Sequence, residues 1–280
     1  MSLAIGVVGV GRDHAVAIVD PVYPQIWIAA RDGDAASVDE FVRVRDAHPT
    51  DNVESKTSWF GGTMDIDARG GLTHCTPLHI AALNGHWITM KCLLSGGKAD
   101  ASLPNNAGYS PLMNLCCRMH GEFVRGKMGG WLHSPADMTT EQGILGAMIS
   151  QHGRMEDDIL QTASILLDHG VNVEQPSFDG HTALHFAQGF PAAVTLLLKW
   201  GANTEAKCAP ACGSWTPISL AILADDNHSV RQLVRKGANL YALDSRGTTP
   251  IEYAANNEVI MQLIAEEVAA RQDAARQAGQ

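Results

Sequence analysis

The chain has 280 residues, of which 45% are hydrophobic and 18% charged, an ordinary balance for a folded protein. Its formal net charge of −10 excludes a nucleic-acid backbone as the main partner, because such binding needs a concentrated basic face, and it disfavours an anionic membrane surface. The six cysteines, at 75, 92, 116, 117, 208 and 212, follow no secreted disulfide spacing and are expected to be reduced thiols of a cytoplasmic or nuclear protein.

From the start of the chain, residues 1–24 are expected to be an extended segment. This stretch is apolar but has no basic start, and Arg12, Asp13 and His14 interrupt it, so neither a signal peptide nor a membrane span of ~18 apolar residues is expected. Its glycines, Gly6, Gly9 and Gly11, read G-x-x-G-x-G, the reverse of the dinucleotide-binding order, and no strand–helix–strand unit follows. Trp27-Ile28-Ala29-Ala30, with Val38, Phe41 and Val42 further on, has the pattern of a helix pair that could cap a stack. An irregular glycine-rich stretch, Asp67 to His74, comes next.

Thr76-Pro77-Leu78-His79-Ile80-Ala81-Ala82 is the clearest segment. Thr76 can cap a helix with its hydroxyl, and Pro77 suits the first helical position, where its missing N–H costs nothing. Gly85-His86 is expected to turn the chain into a second helix with an apolar stripe of Ile88, Met90, Leu93 and Leu94, which Gly96-Gly97 should end. The heptad returns as Ser110-Pro111-Leu112-Met113 after 34 residues and as Thr182-Ala183-Leu184-His185 after a further 72. Thr216-Pro217-Ile218 follows after 34 more and Thr249-Pro250-Ile251 after 33. Leucine-rich helices closed by glycine accompany the later copies, at Gly170, Gly201 and Gly237. The last helix is expected over Glu258 to Ala270, and residues 273–280 as a frayed tail.

This heptad and its period resemble the ankyrin-repeat family over 25–272 of the chain. The resemblance implies an all-α solenoid of about six helix-turn-helix repeats with short β-hairpin tips, the terminal ones degenerate caps. His79 and His185 would then carry hydrogen bonds between adjacent tips. The 72-residue interval is one repeat plus roughly 39 residues, so an insertion of about 116–151 is expected between the two helices of the third unit, the second of them at Asp158 to His169.

A repeat surface holds partners more often than it does chemistry, so the expected function is non-catalytic binding of another protein through the concave face. The positions that project from the tips are Asn106 and Tyr109, then Phe178, Asp179 and His181, then Trp215, and finally Ser245 and Arg246. Tyr109, Phe178, His181 and Trp215 would either form an aromatic row for a partner or pack against neighbouring tips to stiffen the stack. The insertion residues Arg118, His120, Arg125, Lys127, Trp131 and His133 would extend that surface. No cofactor or metal is expected. Cys116, Cys117, His120 and His133 lack the paired spacing of a zinc site, and Cys208 with Cys212 is half of one at most. The alternative is an enzyme or small-molecule binder with its site between the insertion and the groove, since function is grafted onto folds.

Overall fold

The computed structural model describes residues 25–47, 65–70, 74–117 and 156–278. Among these the regular structure is helical, and the only strand-like pairing is an isolated antiparallel bridge between Gly70 and Cys75. The described chain is an all-α repeat protein. Each unit is a short helix, a turn and a second helix, and the elements follow one another in that order. They are α1 (Gln25–Asp32), α2 (Ala35–Ala47), α3 (Pro77–Leu83) and α4 (Trp87–Lys91, continued by a π turn over Cys92–Gly96). After α5 (111–117) come α6 (Glu156–Asp168), α7 (Ala183–Phe186) and α8 (Pro191–Lys199). The last are α9 (Pro217–Leu223), α10 (Asn227–Arg235), α11 (Pro250–Ala254) and α12 (Glu258–Ala278).

The first helices form where their caps dictate. In α3 the Thr76 hydroxyl accepts the His79 amide, while His79 Nδ1 accepts the Thr76 amide at 3.2 Å, so two orphan donors are satisfied reciprocally. Thr182 and His185 repeat this box at α7. At α11 Glu252 replaces the histidine, its Oε2 accepting the Thr249 amide at 2.7 Å.

Helix α4 ends at Gly96 with Gly97 as its cap, as the sequence leads one to expect, but Gly97 has φ −76° and it is Lys98 that takes the left-handed conformation at φ +55°. Space is what demands glycine at 97. A Cβ there would meet the Leu93 carbonyl oxygen at 2.6 Å and Ile66 Cδ1 at 2.8 Å. The last helix also runs on through Ala278, beyond Ala270.

Packing puts the short first helices in one row and the longer second helices in another. In the first row α1 lies on α3, and α7, α9 and α11 follow one upon the next. In the second, α2, α4, α6, α8, α10 and α12 are each in contact with the next. One large apolar cluster reaches from Ile26 to Ile264, with smaller ones around Trp27 and around Trp215, and every residue of α3 is buried. The last described helix, α12, is tied to α10: Arg235 makes a bidentate pair with the buried carboxylate of Glu267 at 2.6 and 2.9 Å, and Arg271 Nη1 donates to the Val234 carbonyl at 2.9 Å. Among the described residues no helix is long and apolar enough to cross a membrane.

Candidate functional site

The turns that link one unit to the next are tied together by backbone and side chain alike. Phe178 N–H donates to Ala107 O at 3.3 Å, Ala209 N–H to Asp179 O at 2.7 Å, and Ser245 N–H to Gly213 O at 2.9 Å. Each bond joins the tip of one unit to the tip of the next. A second series runs behind the tips: the Asp67 carboxylate accepts the Asp100 amide at 3.2 Å, Glu174 the Asn203 amide at 2.7 Å, and Glu205 the Asn239 amide at 2.9 Å. The result is a row of tips held by main-chain hydrogen bonds that cost little to keep in place.

The histidines complete this frame from below. His79 Nε2 donates to the Tyr109 carbonyl at 2.9 Å, and His185 Nε2 to the Trp215 carbonyl at 3.2 Å, each thirty residues ahead. Both rings are neutral. Burial holds the pKa of His79 down to about 4 and that of His185 to about 3, with His181 adding to the second effect. With Nδ1 accepting from a threonine amide and Nε2 donating to a carbonyl, neither ring is placed as a general base. Trp27 takes the same part in the first unit, its indole Nε1 donating to the Cys75 carbonyl at 3.2 Å. That role is invisible in the sequence, because the first unit has no threonine–histidine pair to mark it.

The projecting positions divide into two groups. Asn106, Phe178, Asp179, Ser245 and Arg246 are exposed, Phe178 to 74%. Tyr109 is half-buried, its ring edge-on to Phe186 at 5.3 Å, and His181 and Trp215 are buried at 3% and 9% exposure. Of the four expected aromatics only Phe178 is exposed: Tyr109 packs on Phe186, His181 on His185 and Phe186, and Trp215 with Cys208 and Leu220. The tips themselves also lie close together. Gly180 has φ +76°, and a Cβ there would meet Ala209 N at 2.9 Å. Gly180→Ala is accordingly expected to cost about 1–3 kcal/mol, read as a lower urea midpoint with an unchanged m-value.

The cysteines are all free thiols. Burial pushes Cys116 up to about 12 and raises Cys117 well above the ordinary thiol range, the adjacent Cys116 adding to it. Cys208 and Cys212 are raised as well, each by burial first, with the Asp179 carboxylate adding at Cys212. None of these four is an activated thiolate. The insertion positions Arg118, His120, Arg125, Lys127, Trp131 and His133 lie outside the described residues.

Comparison with known proteins bears on the repeats directly. The ankyrin repeat family model matches residues 73–106 and 179–209, which span α3 with α4 and α7 with α8. Over 183 residues the chain is 28% identical to glycerophosphocholine phosphodiesterase gde1 of Schizosaccharomyces pombe. The similar stretch takes in 65% of this chain and 13% of that protein's length.

Proposed function

We propose that this ankyrin-repeat chain is a non-catalytic interaction module of the cytoplasm. Its repeats, over residues 25–272, form a solenoid whose tips and inner helices present one concave face to a partner protein. Asn106, Phe178, Asp179, Ser245 and Arg246 contact that partner, Tyr109, His181 and Trp215 stiffen the tips beneath, and the insertion over about 116–151 extends the surface. The observation that carries this reading is the large exposed ring of Phe178 on a tip locked by main-chain bonds to both neighbours. A rigid platform loses little ordering entropy on binding, and an aromatic on it supplies anchoring area. The net charge of −10 favours a basic partner, chiefly through encounter rate.

The test is a photo-crosslinking residue installed at position 178 or 246 in cells, with the captured protein then titrated against the purified chain. Phe178→Ala should weaken that complex by about 10- to 100-fold, a hot-spot loss of about 1.4–2.8 kcal/mol, with helix content unchanged. Crosslinks confined to α12 or to the outer row, with Phe178→Ala binding as tightly as the parent, would refute this face.

The likeness to a protein named as a phosphodiesterase favours a second reading: an enzyme or small-molecule binder with its site between the insertion and the groove. Incubating the purified chain with glycerophosphocholine decides it. Release of choline or glycerophosphate above the buffer rate supports an enzyme, and its absence at high protein concentration rejects that activity.

A further inference from the structure

We propose that Asp179, His181 and Cys212 form a binding site for a zinc-class transition-metal ion at the junction of two neighbouring tips. One ligand atom from each of the three residues lies within 4.8 Å of the others. Around tetrahedral zinc, with metal–sulfur near 2.3 Å and metal–nitrogen or –oxygen near 2.0 Å, ligand atoms are separated by roughly 3.3–3.7 Å. The trio therefore closes on an ion with side-chain rotation alone, of about 1 Å.

The backbone that presents these residues is set beforehand. Ala209 N–H, at the start of the loop that carries Cys212, donates to the carbonyl of Asp179 itself at 2.7 Å. The Cys212 amide donates to Ala209 O at 2.9 Å, which closes a 3-10 turn over Pro210–Cys212. The imidazole of His181 is held between Phe186, at 5.3 Å, and His185, at 5.4 Å. Preorganisation of this kind lowers the ordering cost of assembling a metal site.

Donor chemistry selects the ion. Imidazole nitrogen, thiolate sulfur and one carboxylate oxygen suit zinc or cobalt and disfavour calcium and magnesium, which take oxygen ligands. Three protein ligands leave a fourth position, and the exposure of Asp179 opens it to water or to a donor from a bound partner. Cys208 is turned to another task, its sulfur accepting the Trp215 amide at 3.2 Å and lying 3.5 Å from the Cys212 carbonyl. Metal would cross-link the two tips that the Ala209–Asp179 bond already joins.

The whole chain, reduced and stripped of metal with chelator, is titrated with cobalt(II) and then with zinc(II). One cobalt per chain should bind with a thiolate charge-transfer band and the visible bands of a tetrahedral site, and one equivalent of zinc should displace it. Cys212→Ser should abolish the charge-transfer band, and Asp179→Asn should weaken binding at least tenfold. Cys208→Ser and Cys117→Ser should leave stoichiometry and spectrum as they were. Both ligand variants alter residues that are not fully buried, and circular dichroism checks that they fold. Absence of a charge-transfer band in the parent chain, or its persistence in Cys212→Ser, would overturn the proposal. Loss of partner binding in Phe178→Ala leaves the metal spectrum unaltered, so the interaction face and the metal site fail or stand separately.

Discussion

Lowering the pH from 7 to 4 is expected to remove on the order of 5 kcal/mol of stability, comparable to the whole margin of many folded domains. The effect comes from His79 and His185. Each is buried and neutral, with a folded-state pKa of about 4 and about 3 against 6.5 for an unfolded histidine. The sign follows from proton binding. Above pH 6.5 both states leave the rings neutral and the full stability is present. Between 6.5 and about 4 the unfolded chain takes up a proton that the folded chain refuses, so stability falls by about 1.4 kcal/mol per pH unit for each ring. For His79 burial is the main cause, and the positive charge of Arg69 adds to it. Asp100 and Glu267, lowered by the Ser102 hydroxyl and by Arg235 respectively, keep their contributions above the ordinary carboxylate values and lose them as pH falls from there down through their lowered ones. Urea unfolding at pH 7, 6, 5 and 4 measures the slope. His79→Gln should start from a lower stability at pH 7 and lose it less steeply down to pH 4. A stability flat from pH 6.5 to 5 in the parent would refute neutral burial of these rings.

Those histidines are legible from the letters, because a threonine three residues before a histidine at a helix start is a local pattern. Local chemistry of that sort survives in sequence. Trp27 does the same work without the pattern, since its acceptor, the Cys75 carbonyl, is 48 residues away and any residue could supply it. Gly97 shows a similar limit. Its glycine is required by the approach of Leu93 and Ile66, not by its own dihedral angle. Tip positions could be counted from the heptad, but their exposure could not, because it depends on how near the next tip comes. The letters leave Tyr109 and Trp215 open between two roles, and the packing of the first on Phe186 and of the second with Cys208 and Leu220 is what buries them. The metal trio was hidden for the same reason. Cys212 looked like half of a pair with Cys208, whereas its neighbours in space, Asp179 and His181, belong to the preceding unit.

Removing the ring of Phe186 and removing that of Trp27 should produce unlike failures, although each is buried to 1% exposure and each truncation to alanine is of a size that costs about 3–5 kcal/mol. Phe186 belongs to α7, in the middle of the core, where Tyr109 and His181 both press on it at 5.3 Å. A cavity there weakens the packing of units on both sides, so Phe186→Ala should shift one cooperative urea transition to lower denaturant. Trp27 is in the first unit, packed on Cys75, Ile80 and Leu83. The strong helix contacts run between neighbours, and stability in such an array is close to a sum of unit and nearest-neighbour terms. Trp27→Ala therefore subtracts from the α1–α3 boundary alone. Hydrogen exchange should find the amides of α1 and α2 opening early in this variant, while those of α9 and α10 keep their parental protection. Equal loss of protection along the whole chain would mean that the first unit is bound into one global core, and the nearest-neighbour account would have to be abandoned. The Phe186→Ala chain supplies the internal standard, because it should lower protection from α5 to α10 while leaving the Trp27–Cys75 hydrogen bond intact.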